Sequence, residues 1–143
     1  MTINQSIATS FKAELFSGIH DFSVGGDDFK VALYTSAASL GPDTEEYAPD
    51  DEVIGAGYTA GGQIMTQTQP QTGGTSGFTG FENVVWPLAT ITAAGALIYN
   101  ASKANRAVCV IDFGGDKTST NDDFTIAMPA DTQTEALLRI VTP

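Results

Sequence analysis

The chain has a single cysteine, a single histidine and a single tryptophan in 143 residues. One cysteine excludes an intrachain disulfide. Cys109 lies within the apolar run Ala107-Val108-Cys109-Val110-Ile111, where it reads as a small buried hydrophobe. A mid-strand position, away from a helix start or an exposed turn, does not favour a reactive thiolate. One histidine leaves zinc short of the three or four His, Cys or carboxylate ligands it needs. It also leaves no third group to orient an imidazole as a general base. His20 stands beside Asp21 at the end of an expected helix, where a cation suits the helix C-terminus.

Basic residues are scarce as well: six Lys and Arg against 17 Asp and Glu, for a net charge of -11. Six cations cannot build the broad basic face that phosphate neutralisation requires, so nucleic acid is excluded as a partner. An anionic membrane surface would repel the chain for the same reason. No stretch reaches the ~20 apolar residues of a membrane-spanning helix, and Met1 to Gln5 does not open a secretory signal. Charged residues make up only 16 %, against about 25 % in an ordinary soluble chain. Gly, Thr, Ser, Asn and Gln take their place, giving a polar, sparsely charged surface suited to packing against other proteins.

What is present reads as one mainly β domain over 1-143. Ile3, Ile7, Phe11, Leu15 and Ile19 recur every four residues and predict one N-terminal helix at about 4–17, with Gly18 as its stop. Apolar alternation then predicts about eight short strands between about 29 and 141, opening with Phe29 to Tyr34. Gln63 to Gln69, Phe78 to Val85, Thr90 to Ala94, Phe124 to Met128 and Ala136 to Val141 follow the same pattern. This favours a single antiparallel β-sandwich or barrel. Ser36 to Glu52 is a long loop holding six acids: Asp43, Glu45, Glu46, Asp50, Asp51 and Glu52.

No catalytic or metal-binding grouping stands out. The acidic loops lack the Asp-x-Asp-x-Asp-Gly spacing of a calcium loop. Gly114-Gly115-Asp116-Lys117-Thr118 departs from a phosphate loop, because Asp116 separates Gly115 from Lys117 and strand surrounds it; it reads as a turn. Trp86 and the tyrosines 34, 47, 58 and 99 are candidates to stack on a sugar ring, but Trp86-Pro87 after an apolar strand fits core packing better.

The clearest local feature is a hairpin from Gly95 to Gly114. Strands Ala96 to Tyr99 and Ala107 to Phe113 flank the polar turn Asn100 to Arg106, and Ile98, Val110, Ile111 and Phe113 are its expected core residues. The turn carries Lys103 and Arg106, two of the six cations, and these are the candidate interface residues. A solvated hairpin tip is one reading of this turn; a contact with an acidic stretch such as the Asp43 to Glu52 loop of a neighbouring subunit is the other.

Three segments together resemble small virion proteins of tailed bacteriophages: Phe29-Lys30-Val31-Ala32-Leu33-Tyr34-Thr35-Ser36-Ala37, Gly55-Ala56-Gly57-Tyr58-Thr59-Ala60-Gly61-Gly62, and Gly95 to Gly114. The leading helix and the strand at Ala136 to Ile140 fit the same pattern. The resemblance implies a non-enzymatic structural protein without cofactor or metal, located in the virion, that self-associates and docks on other phage structural proteins. A capsid decoration or cement protein seated on the major capsid protein is the first expectation. A tail or fibre component, including a host-surface adhesin, is the alternative, and a carbohydrate-binding module is a third class. No catalytic residue comes with the resemblance.

Overall fold

From Val84 to Ile126 the chain runs out and back as one long hairpin, and the other elements gather around its closed end. The computed structural model describes residues 2–142. In chain order the elements are β1 (Ser6–Ile7), α1 (Thr9–Phe16), β2 (Phe29–Tyr34), β3 (Gln63–Ile64), β4 (Gln71–Gly73), β5 (Ser76–Thr79), β6 (Val84–Asn100), β7 (Arg106–Ile126) and β8 (Leu138–Ile140). They form a five-stranded sheet in the order β1-β7-β6-β2-β3 and a three-stranded sheet in the order β4-β5-β8. Neighbours in both pair antiparallel. The mainly β architecture with one N-terminal helix is as expected, in two open sheets and not a closed barrel.

The expected strands are not all short. Thr90 to Ala94 and Phe124 to Met128 were expected as separate strands. Thr90 to Ala94 lies inside β6, and Phe124 to Ile126 ends β7; these two strands are 17 and 21 residues long. Bulges absorb the breaks that the sequence suggests. The register skips between Trp86 and Ala89, around Pro87 and Leu88. Ala93 pairs with Lys117 and Gly95 with Asp112, so Phe113 to Asp116 are looped out of the ladder. The Gly114-Gly115 segment, expected as a turn, is therefore a bulge within β7.

The helix is shorter than expected. Ile7 belongs to β1, which pairs Ser6 and Ile7 with Val110 and Cys109, and Ile3 bridges to Leu40. The start of the four-residue stripe is thus claimed by sheet pairing, and only Phe11 of α1 is buried. Gly18 does end the helix. With φ at +73° it takes the left-handed position. Its N–H donates to the Leu15 carbonyl at 3.2 Å, and the Ile19 N–H donates to Glu14 at 3.1 Å. These two bonds satisfy carbonyls that the helix end would leave orphaned.

The core lies where β2, β6 and β7 meet. Trp86, Phe29, Leu33, Leu97, Ile98, Val108 and Val110 are fully buried, each worth roughly 1.5–3 kcal/mol of transfer free energy. Phe22 stacks on Phe29 at 4.3 Å, while Phe11 and Phe81 meet this pair edge-on or tilted, which ties α1 and the segment after β5 to the large sheet. Of the four expected hairpin core residues, Ile98 and Val110 are buried, whereas Ile111 and Phe113 are only partly so. β1 pairs with Val110 and Cys109 but extends no further, so beyond them β7 is an edge strand and most of it is exposed.

Candidate functional site

The closed end of the long hairpin is anchored by a buried polar chain. Asn100, fully buried at the end of β6, donates one amide N–H to His20 Nδ1 at 3.0 Å and the other to Asp27 Oδ2 at 2.8 Å. Its Oδ1 accepts the Ser102 N–H at 3.0 Å. With Nδ1 accepting, the imidazole proton sits on Nε2, 2.9 Å from Glu14 Oε1. Asp27 accepts from Lys103 Nζ at 2.8 Å and from the Asp21 N–H at 2.9 Å. Burial pushes the Asp27 carboxyl up, but the hydrogen bonds from Lys103, Asn100 and the Asp21 backbone, with the Lys103 charge, carry it net below the usual carboxylate range.

Both candidate interface cations have carboxylate neighbours within the chain. Lys103 is paired with Asp27, and Arg106 approaches Glu14 at 3.7 Å. The acidic loop does meet the hairpin turn, but within the same chain and through backbone. The Tyr47 N–H donates to Asn105, and the Ala107 N–H donates to Glu45, both at 2.9 Å. His20 does not cap the helix; its ring is buried, and both its nitrogens are engaged by side chains.

A second cluster surrounds Glu52. It is the one member of the acidic loop that is buried. Its Oε1 accepts from Tyr47 at 2.7 Å, and its Oε2 accepts from the Gly61 N–H at 2.8 Å and from Tyr58. Tyr58 Oη in turn accepts the Leu33 N–H at 2.9 Å. Tyr99 donates to the Gly61 carbonyl at 2.6 Å and Tyr34 to Ala48 at 2.7 Å. All four phenols are raised, by burial first and by the nearby Glu52 carboxylate second; Tyr99 reaches about 12. The Gly55 to Gly62 loop reaches this position because Gly62, at φ +80°, lies flat on β2: a Cβ there would sit 1.7 Å from the Val31 carbonyl oxygen.

The tyrosine rings considered for sugar stacking are engaged: Tyr47 stacks on Tyr99 at 4.8 Å, Tyr58 lies by Trp86, and Tyr34, Tyr99 and Trp86 are buried. Burial pushes the Cys109 thiol up to about 12, far from thiolate reactivity. Among the described residues there is no group of three or more His, Cys, Asp or Glu placed to hold a metal, and no helix is long and apolar enough to cross a membrane. Only Ser10 Oγ and Asp131 Oδ1 are buried side-chain polar atoms without a partner among the described residues.

The surface is less complete. Between α1 and the small sheet runs an apolar groove of about 640 Å³, with Phe11, Leu15, Phe16, Phe78, Leu138 and Ile140 in its walls. Phe16 is 90 % exposed, and Ile54, two residues past the acidic loop, is 96 % exposed. Sequence reading missed Asn100, Glu52, Phe16 and Ile54 as singular positions. Glu52 carried one signal, being the only acid of its loop followed directly by an aliphatic β-branched pair, Val53-Ile54. No protein-family model, curated protein or solved structure matches this chain.

Proposed function

We propose that the chain is a non-enzymatic structural protein of a tailed-phage virion, a decoration or cement protein that self-associates and docks on major capsid subunits. The observation that carries this reading is the division of labour in the molecule. Among the described residues, its two buried ionisable side chains other than tyrosine and cysteine, His20 and Glu52, are bonded internally, in the Asn100 and Glu52 clusters. Its surface instead presents large apolar side chains, among them Phe16, Ile54, Leu88 and Ile140. Such side chains ask for a protein partner and not for a small substrate. The sequence resemblance supplies the setting. The net charge of -11 accords with a protein kept off the packaged nucleic acid.

Quantitative mass spectrometry of particles purified from cells that encode the chain tests the proposal. Hundreds of copies per particle are expected. A few copies would move it to the tail or fibre, and absence from purified particles would overturn the virion role.

A further inference from the structure

We infer that one copy of this chain docks head to tail on the next, with Ile54 of one protomer seated in the apolar groove between α1 and β8 of its neighbour. The inference rests on reading the chain as an assembly protein and names the surfaces by which it self-associates.

The two surfaces differ in shape and charge. Ile54 is the convex one. It is 96 % exposed while its neighbours Glu52 and Val53 are buried. Three bonds to Glu52, from Tyr47, Tyr58 and the Gly61 N–H, hold the loop behind it. The Val53 N–H, bonded to the Leu33 carbonyl at 3.0 Å, fastens that loop to β2. A large apolar side chain is thus displayed on a braced loop, so little ordering entropy opposes docking. The Glu52 cluster, which has no chemistry to perform, gains a purpose in this display.

The groove is the concave surface, with Phe16 and Ile140 at its mouth 90 % and 65 % exposed. Its rim carries Lys12 and Arg139, both exposed. Of the six basic residues, Lys103 and Arg106 pair with carboxylates, whereas Lys12 and Arg139 form no ion pair among the described residues. Asp21 is the one acid in the lining. The exposed Asp50 and Asp51 lie four and three residues before Ile54 in the chain. An apolar knob on an acidic segment therefore matches an apolar slot whose rim carries two cations outside any ion pair. In a chain of net charge -11, few other pairings of its own surfaces escape like-charge repulsion. Because knob and slot are different patches, the contact is heterologous, and repeated copies close into a ring or extend as a filament.

Sedimentation velocity over a concentration series tests this with Phe16→Asp and Ile54→Asp, both at exposed positions, each checked for its fold by circular dichroism. The wild type is expected to form species larger than a dimer, weakened by added salt. Each variant alone is expected to be monomeric. An equimolar mixture of the two should form a dimer and nothing larger, because one intact knob and one intact slot remain. Lys12→Glu with Arg139→Glu should weaken wild-type assembly without touching α1 packing. A wild type that stays monomeric overturns the inference. So does an Ile54→Asp variant that still assembles, or a mixture that fails to form a dimer. A monomeric wild type that is nonetheless counted in purified particles would remove this contact and leave the virion role standing. An intact oligomer absent from particles would do the reverse.

Discussion

The Asn100 amide nitrogen lies 3.0 Å from His20 Nδ1, across eighty residues of chain, and the same amide reaches Asp27. One side chain thus joins the end of the first helix, the loop before β2 and the hairpin turn. Asn100→Ala leaves the Asp27 oxygen, the imidazole nitrogen and the Ser102 N–H each short of a partner. A buried orphan costs ~1–3 kcal/mol; Ser102 is exposed and Asp27 keeps its bonds from Lys103 and the Asp21 N–H, so the expected loss is about 3 kcal/mol in urea unfolding at neutral pH. A loss under about 1 kcal/mol would show that water replaces the amide freely.

Asp27 should make stability fall on the acid side. Its folded value is depressed from the ordinary 3.8, so the folded state binds its proton less readily than the unfolded state. The stabilisation is present above that ordinary value and is lost as pH falls through the folded value. Asp27→Asn should therefore be less stable than wild type at pH 7, with the difference shrinking in strongly acidic solution. A difference that stays constant with pH would mean the carboxylate charge contributes nothing.

The tyrosine cluster predicts the opposite limb. All four phenols are raised above the ordinary 10.0. Their contribution is fully present below that value and disappears as pH rises through the folded values, Tyr99 at about 12. Tyrosinate absorbance should then appear cooperatively, together with loss of near-ultraviolet circular dichroism. Ionisation near pH 10 with the fold intact would contradict the buried cluster.

Core substitutions should separate two aromatic residues that neighbour Phe124. Trp86 is 1 % exposed, so Trp86→Ala should cost ~3–5 kcal/mol. Phe113 is only partly buried, against Phe124 at 6.2 Å, and Phe113→Ala should cost less than that range. Equal losses at the two sites would mean that Phe113 is covered in solution.

The fold class and the hairpin were legible from short apolar runs bounded by turn residues. The bounds of β2 are those read from the sequence, Phe29 to Tyr34, although the strand is buried on both faces. The helix start was not legible. Ile3 and Ile7 fit a four-residue stripe and a strand equally well, and only the distant partners Leu40 and Cys109 decide between them. The length of β6 and β7 was hidden too. Pro87 and Gly114-Gly115 read as stops along the sequence, whereas the opposite strand tolerates them as bulges.

The functional surfaces were harder to read, because their character depends on burial. Glu52 looks like the other five acids of its loop until Tyr47 and Tyr58 converge on it. Phe16 sits where the helical stripe has a flank, and nothing local says that the flank is left bare at 90 % exposure. Lys103 and Arg106 stood out as cations on an acidic chain, but their first partners are Asp27 and Glu14 of the same chain.

The most direct measurement is a cryo-electron microscopy reconstruction of particles purified from cells that encode the chain. The account predicts density on the outer shell for a five-stranded and a three-stranded sheet with one long hairpin, repeated with the shell symmetry and touching major capsid subunits. A shell whose density is fully explained without this fold, in particles from which the chain is also absent by mass spectrometry, would contradict it.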